Sequence, residues 1–232
     1  MLKQFAEGST ILVDKPLHWT SFDVVNKLRW YLRKQLGVKK LKVGHAGTLD
    51  PLATGLLVIC IGKHTKLIEQ LMGGKKTYTG TILLGKTTPS YDLETEYNSE
   101  ASVDHIDAQQ LEATRQQFVG QLLQTPPLFS AKQIDGKRAY DIARAGKTVE
   151  LAKAAVEVDS FTLSTERFPE IDFEICCSKG TYIRSIAHDF GAALGCGGTL
   201  IALRRTASGN ENISAAKSVD EWIEFIQSSP LE

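Results

Sequence analysis

The feature that most constrains this chain is the twelve-residue run GHAGTLDPLATG at positions 44–55. It contains three glycines, the imidazole of His45 and the carboxylate of Asp50. Glycine lets the backbone turn with positive φ or pass close to another surface, and Pro51 favours an extended or turn conformation at Asp50. An acid held on a glycine-rich loop beside a histidine is suited to catalysis. The alternative is that Asp50 caps a short helical turn with Pro51 at its first position, and the two roles are compatible.

The composition predicts a cytoplasmic protein with a hydrophobic core. Hydrophobic residues make up 42% of the 232 residues, which suffices for one large domain or two small ones. No run of 18 apolar residues is present to span a membrane, and the N-terminal residues lack the apolar segment of a signal peptide. The four cysteines form no C-x-x-C pair, so free thiols in a reducing compartment are favoured over a metal site.

The charges are divided unevenly along a chain whose formal net charge is zero. Residues 1–90 hold 14 basic and 5 acidic residues, whereas residues 91–232 hold 13 basic and 22 acidic residues. Six basic residues and no acidic ones lie between Arg29 and Lys42. We expect this basic run to form a phosphate-binding surface for RNA, with a merely solvated surface as the alternative.

Hydrophobic periodicity and turn residues predict interleaved strands and helices. Strands are predicted over 11–13, 56–61, 77–84 and 171–177, and helices over 107–118, over 183–194 and around Trp222. A further helix is predicted to begin at Thr20 or Ser21, to end at Gly37 and to bury the face of Phe22, Val25, Leu28, Leu32 and Leu36. Because no regular βαβ units are present, the predicted fold class is α+β.

Five motifs in order carry a family resemblance. They are Val13-Asp14-Lys15-Pro16 with Trp19-Thr20-Ser21, the run 44–55, Lys76-Thr77-Tyr78, Ser178-Lys179-Gly180-Thr181-Tyr182-Ile183-Arg184-Ser185 and Leu203-Arg204-Arg205-Thr206. From about residue 10 to about residue 210, the chain resembles the bacterial tRNA pseudouridine-55 synthase family.

For the fold, the resemblance implies a central, mainly antiparallel mixed β-sheet flanked by helices and loops, with the catalytic cleft across it. Residues 1–232 are then expected to form a single pseudouridine synthase catalytic domain with an RNA-binding insertion near 126–150, in which 136–140 contacts RNA. Many members carry a C-terminal RNA-binding domain of the PUA type. This chain ends some 25 residues after the Leu203 motif, so we expect no complete PUA domain.

For the chemistry, the resemblance implies cleavage of the C1′–N1 bond of a uridine, rotation of the base and rejoining through C5. The base must be flipped out of its stack to reach the enzyme, and neither a cofactor nor a metal is needed. Asp50 corresponds to the catalytic aspartate, either attacking covalently or abstracting a ribose proton to give a glycal. The implied catalytic partners of Asp50 are Arg184, as its ion-pair partner, and Tyr182.

The remaining implied roles concern RNA binding. Tyr78 stacks on the flipped uracil, Leu203 forms an apolar wall, His45 contacts the RNA loop, Lys15 binds phosphate or supports the loop, and Asp92 contacts RNA. The expected partner is the T stem-loop of tRNA, with no membrane, no obligate protein partner and a monomeric state. The alternatives are another RNA with a T-loop-like fold, a non-catalytic RNA-binding or tRNA-folding protein, and an unrelated hydrolase using Asp50 and His45.

Overall fold

The computed structural model describes residues 2–130, 133–134, 137–138 and 151–231. The chain forms two compact units, the first comprising Met1–Tyr78 with Leu203–Glu232 and the second comprising Thr79–Ala202. Most of the segment 126–150, for which an RNA-binding insertion is predicted, lies outside the described residues.

The helices and strands are as follows. The helices are α1 (Leu2–Glu7), α2 (Ser21–Leu36), α3 (Ile68–Met72), α4 (Ala108–Gln116), α5 (Ile183–Ala193) and α6 (Val219–Ser228), with 3-10 helices at Lys63–Leu67 and Ile213–Ala215. The strands are β1 (Gly8–Lys15), β2 (Val43–His45), β3 (Ala53–Gly62), β4 (Lys76–Leu84), β5 (Lys86–Thr87), β6 (Ser99–Glu100), β7 (Gly120–Gln124), β8 (Gln133–Ile134), β9 (Lys137–Arg138), β10 (Ala154–Arg167), β11 (Glu170–Cys177), β12 (Gly198–Ser208), β13 (Glu211–Asn212) and β14 (Lys217–Ser218).

In the first unit, strands β14, β1, β3 and β12 are neighbours in that order, with β2 paired to β3 and β13 to β12. Strand β1 runs antiparallel to β3, whereas β12 runs parallel to β3 and β14 runs parallel to β1. Helices α2 and α6 cover this sheet through a buried aliphatic cluster that includes Val24, Leu28, Ile59, Ile223 and Ile226. The β2–β3 hairpin is thereby fixed against a packed core.

In the second unit, strands β4, β11, β10 and β7 are neighbours in that order, and β10 runs antiparallel to both β11 and β7. Aromatic side chains join helices α4 and α5 to the sheet. The ring of Phe190 on α5 lies 5.6 Å from that of Phe161 and 5.8 Å from that of Phe118. These ring contacts hold the second half of α5 against the sheet, while Arg184 lies at the start of the same helix.

The predicted fold class is confirmed, since each unit contains a mainly antiparallel or mixed sheet flanked by helices. Helix α2 begins with a capping box between Thr20 and Asp23 and ends at Gly37, where φ is 66°. The inward orientation predicted for Phe22 is wrong, because its side chain is 59% exposed. The buried face instead begins at Ser21, whose hydroxyl is bonded to the backbone of Leu49.

Two further observations concern the cysteines and the possibility of membrane insertion. No disulfide joins the four cysteines, all of which belong to the described part of the chain, and Cys60, Cys177 and Cys196 are buried. Among the described residues, no helix has both the length and the hydrophobicity needed to cross a bilayer.

Candidate active site

The run 44–55 forms the hairpin of β2 and β3, and residues 46–52, here called the Asp50 loop, connect the two strands. The amide of Ala53 donates to the carbonyl of Asp50 at 3.0 Å, which closes a four-residue turn with Pro51 in its second position. The short helical turn considered as an alternative does not form, because the chain enters β3 directly at Ala53. Asp50 therefore lies at the first position of a β-turn.

Two contacts hold the backbone on either side of Asp50. The buried hydroxyl of Ser21 accepts from the Leu49 amide at 2.8 Å and donates to the Leu49 carbonyl at 3.1 Å. The amide of His18 donates to the Pro51 carbonyl at 2.8 Å. With its neighbours bonded to α2 and to the segment before it, Asp50 has a defined position before any substrate arrives.

Two cationic side chains lie in one row across the sheet beside this loop. Gly55 on β3 pairs with Lys15 on β1 and with Arg205 on β12. A Cβ at Gly55, where φ is 101°, would lie 2.3 Å from the carbonyl oxygen of Arg205. Glycine is therefore required at this position, since any side chain would separate the strands that carry the two cations.

Both cations are almost completely buried and bonded to backbone carbonyls. Lys15 has no exposed surface, and its Nζ donates to the carbonyls of Pro16 at 2.9 Å and Trp19 at 2.6 Å. Arg205 is 1% exposed, and it donates through Nε to Leu56 at 2.7 Å and through Nη2 to Gly47 at 3.1 Å. These bonds go to neutral carbonyl oxygens, so they orient the two cations without supplying a negative charge that would cancel theirs.

The electrostatics couple Lys15 both to Asp50 and to Arg205. Burial lowers the pKa of Lys15 from its usual 10.5 to about 8, while the charge of Asp50 opposes this shift and that of Arg205 adds to it. The attraction between Asp50 and Lys15 is mutual, so the ammonium group favours the carboxylate form of Asp50. Below pH 8, Lys15 and Arg205 provide positive charge behind the Asp50 loop.

His45 lies on β2 and is half-buried. Burial, together with the charge of Arg205, lowers the pKa of His45 below its usual 6.5, so the imidazole is neutral at pH 7. Its Nδ1 is enclosed and has no hydrogen-bond partner among the described residues.

The two predicted pocket residues of the first unit lie on neighbouring strands. Leu203 on β12 pairs with Ala53, the first residue after the Asp50 turn, and its carbonyl accepts from Thr54 Oγ1 at 3.4 Å. Tyr78 on β4 is half-buried, and β4 is joined to β12 through Thr206 Oγ1, which donates to the Thr77 carbonyl at 3.3 Å.

In the second unit, the structure brings Arg184 and Asp92 together. Both side chains are buried, and Arg184 Nη1 lies 3.5 Å from Asp92 Oδ2 and 3.3 Å from the Ser90 carbonyl. The second carboxylate oxygen of Asp92 accepts from the Glu94 amide at 3.0 Å. The sequence did not predict this pairing, since Asp92 was expected to contact RNA and Asp50 to be the ion-pair partner of Arg184.

Tyr182 is positioned at its backbone by the buried side chain of Gln124. Gln124 Oε1 accepts from the Tyr182 amide at 2.7 Å, and Gln124 Nε2 donates to the Tyr182 carbonyl at 3.0 Å. Tyr182 is also the residue that precedes helix α5, so these two bonds orient the start of that helix.

Ser21, Gln124 and Arg205 are contacts of the site for which the sequence predicted no functional role. Arg205 stands in a quoted motif, but its burial depends on strand register, which the motif does not reveal. Gln124 lies 58 residues before Tyr182, and nothing in its local sequence points to that contact.

Solved structures with this fold include two assemblies of the protein Cbf5. The chain aligns to a Cbf5-Nop10-Gar1 complex with a TM-score of 0.73 and 24% identity, covering 98% of this chain and 58% of the other. It aligns to the archaeal box H/ACA sRNP Nop10-Cbf5 complex with a TM-score of 0.69 and 21% identity, covering 98% and 56% of the two chains. At these identities the likeness concerns the fold.

Two family models cover most of the sequence. The model of the TruB family pseudouridylate synthase N-terminal domain matches residues 33–183, and that of the tRNA pseudouridylate synthase B C-terminal domain matches residues 184–223. The class defined by these matches is that of the pseudouridylate synthases.

Curated relatives match over nearly their whole length. The protein named tRNA pseudouridine synthase B from Flavobacterium johnsoniae is 48% identical over 226 residues, covering 97% of this chain and 99% of the relative. The protein of the same name from Phocaeicola vulgatus is 48% identical over 228 residues, covering 98% and 97%. The chain belongs to the TruB family of pseudouridylate synthases, which confirms the resemblance drawn from the five motifs.

Proposed function

We propose that this enzyme isomerises the T-loop uridine at position 55 of tRNA to pseudouridine, with Asp50 as the catalytic carboxylate. The relatives' name supports tRNA as the substrate. The observation that carries the role of Asp50 is its place on a turn whose neighbouring residues are bonded to Ser21 and His18, beside the buried cations Lys15 and Arg205.

The reaction breaks the C1′–N1 bond and forms a C1′–C5 bond. N1 gains a proton and C5 loses one, so the reaction is a redox-neutral isomerisation. Whether the carboxylate attacks carbon or abstracts a ribose proton, it must be ionised. Lys15 and Arg205 favour that form, because their positive charge is not cancelled by the carbonyls that hold them.

The other residues take the roles that the family resemblance implies. Tyr78 stacks on the flipped uracil, for which base–aromatic stacking contributes roughly 1–3 kcal/mol. Leu203 provides an apolar wall, His45 contacts the RNA loop, and Tyr182 and Arg184 act on the same uridine. The burial of Lys15 and of Asp92 supports internal roles for both, with Lys15 bracing the Asp50 loop and Asp92 orienting Arg184.

The basic run from Arg29 to Lys42 supplies much of the affinity for RNA phosphates. Lys39, Lys40 and Lys42 are exposed, so their ammonium groups are accessible to a polyanion. The enzyme binds the T stem-loop as a monomer and acts in the cytoplasm, where tRNA is its substrate.

The deciding experiment compares the wild type with Asp50→Asn on an unmodified tRNA transcript, followed by mapping of pseudouridine. We expect the wild type to modify the T-loop uridine and the variant to show no turnover. Because phosphate contacts supply most of the affinity, Asp50→Asn should bind tRNA within a few fold of the wild type.

The matched control is Asp104→Asn, which removes an exposed carboxylate far along the chain and should turn over normally. Turnover by Asp50→Asn at the wild-type rate would remove Asp50 from the mechanism. Pseudouridine at a different uridine would retain the chemistry and overturn the assignment of position 55.

A further inference from the structure

A cavity of about 540 Å³ that is widely open to solvent lies in the first unit, lined by His18, Trp19, Asp23, Asn26 and Lys27. It is formed by the start of α2 and the residues before it. The volume falls within the roughly 300–1,000 Å³ of typical small-ligand sites. The mechanism proposed above uses none of these five side chains.

The cavity wall is bonded directly to the Asp50 loop. His18 has φ 66°, a left-handed conformation uncommon for a residue with a side chain, and its amide donates to the Pro51 carbonyl at 2.8 Å. The neighbouring carbonyl of Trp19 accepts from the buried Nζ of Lys15 at 2.6 Å. Strained residues of this kind persist where the surrounding structure requires them, often at binding sites.

The lining combines an aromatic surface with both donors and acceptors. Arg29 donates to Asn26 Oδ1, so the NH₂ group of Asn26 is left to serve as a donor to a ligand. Lys27 adds an exposed ammonium group. Asp23 adds an acceptor, since hydrogen bonds from Thr20 lower the pKa of its carboxyl group and keep it ionised.

This chemistry discriminates between possible ligands. The Asp23 carboxylate would repel a phosphate group lying inside the cavity. An unpaired nucleobase instead offers a flat face to an aromatic ring and an edge with donors and acceptors side by side.

We propose that this cavity binds an unpaired nucleobase of the RNA substrate, from a nucleotide close to the target uridine in the same loop. The base stacks on Trp19, its edge meets Asn26 and Asp23, and its phosphate reaches Lys27 at the rim. The inference rests on the proposed function in taking RNA as the substrate. It adds a second base-binding subsite to the one that receives the flipped uracil.

The test is a double-mutant cycle on binding, carried out in the Asp50→Asn background so that no turnover occurs. The RNAs are an assembled tRNA and a series in which one unpaired loop nucleotide at a time is abasic. Stacking of roughly 1–3 kcal/mol implies that Trp19→Ala weakens binding by about tenfold. One abasic position outside the target uridine should cause a similar loss, and at that position alone the two losses should not add.

Trp19→Phe should recover most of the affinity, because it keeps a stacking surface. Since Trp19 also packs against the core, Asn26→Ala and Lys27→Gln provide tests that leave the core intact. Tyr97→Ala removes an exposed aromatic ring elsewhere and should bind as the parent does.

Additive losses at every position, or unchanged binding in Trp19→Ala, Asn26→Ala and Lys27→Gln alike, would overturn the proposal. The position of pseudouridine is read separately on the wild type. If the target uridine has been assigned wrongly, the mapping of pseudouridine will show it. The double-mutant cycle on binding will still report which nucleotide occupies the cavity.

Discussion

Arg205 in the first unit and Arg184 in the second are both buried, at 1% and 5% exposure, but they are held in different ways. Arg205 donates to two backbone carbonyls, those of Leu56 and Gly47. Arg184 faces the Asp92 carboxylate at 3.5 Å. A carbonyl orients a cation and leaves its charge in place, whereas a carboxylate cancels that charge.

Because their partners differ, the two arginines affect the charge around them differently. Arg205, together with Lys15, places net positive charge behind the Asp50 loop, where a carboxylate must stay ionised. The Arg184–Asp92 pair is close to neutral and fixes the start of α5 against the segment that contains Ser90. The charge that a buried cation contributes to its surroundings can thus be stated only when its partner is known.

The largest expected effect comes from the glycine between the two cations. Gly55→Ala would place a Cβ 2.3 Å from the Arg205 carbonyl oxygen at φ 101°. We expect a loss of more than about 4 kcal/mol in the free energy of unfolding, measured by urea denaturation. Gly180→Ala in the second unit is the control, because its φ is 82° but a Cβ there would meet no atom within 4 Å among the described residues beyond its chain neighbours. It should cost about 1–2 kcal/mol. Equal losses would mean that backbone strain, not the strand spacing, limits Gly55.

The two arginines should differ in whether a second substitution rescues them. Arg184→Met leaves the Asp92 carboxylate buried without that cation and should cost about 3–5 kcal/mol of unfolding free energy. Adding Asp92→Asn should recover a large part of this loss. The same Asp92→Asn change added to Arg205→Met should recover nothing, because Arg205 is held by carbonyls. Rescue in both backgrounds, or in neither, would contradict the distinction drawn between the two sites.

Lys15 should make stability depend on pH in a defined window. Its folded-state pKa of about 8 lies below the usual 10.5. Between these values the folded chain has lost a proton that the unfolded chain retains, so the contribution of Lys15 to stability rises with pH and is lost as pH falls to about 8. The difference in unfolding free energy between the wild type and Lys15→Met should therefore grow in favour of the wild type from pH 8 to pH 10. A difference that stays constant over this range would show that the ammonium group is not destabilised by burial.

The smallest expected effect concerns the exposed cations of the basic run, in contrast to the buried Lys15 beside Asp50. Replacing Lys39, Lys40 and Lys42 with glutamine should flatten the dependence of tRNA binding on salt. Each lost phosphate contact should lower the slope of log affinity against log salt by roughly 0.7–0.9. The same replacements at Lys3, Lys63 and Lys66, which are also exposed, provide the charge-matched control. Equal slopes for the two triple variants would make the basic run an ordinary solvated surface.

Local signals in the sequence predicted the ends of helices well, whereas the strands β7, β10 and β12 were not predicted. Thr20 and Gly37 bound α2 because capping and left-handed glycine are properties of a few adjacent residues. Asp107 likewise caps α4, at the start of the helix predicted over 107–118. The prediction for Phe22 was wrong because tertiary packing, not the local sequence, determines which face of α2 is buried. Ser21 lies on the buried face, where its hydroxyl bonds the backbone of Leu49.

The residue types of the site could be predicted from the sequence, but the long-range contacts that hold them in position could not. The motif around Asp50 revealed a carboxylate on a turn, since glycine and proline restrict the backbone locally. The burial of Lys15 follows from a register that pairs it with Gly55, and that pairing joins strands distant in sequence. The roles of Tyr78, Tyr182 and the other predicted site residues stay predictions that the experiments above address.

The bond between Arg205 and the Gly47 carbonyl joins parts of the chain that are 158 residues apart. During translation the Asp50 loop leaves the ribosome long before β12 has been synthesised. Until Arg205 emerges, the carbonyls of Gly47 and Leu56 lack the donor that fixes them. The loop therefore acquires these two bonds only near the end of synthesis, so the order in which the chain is made sets when the loop reaches its final form.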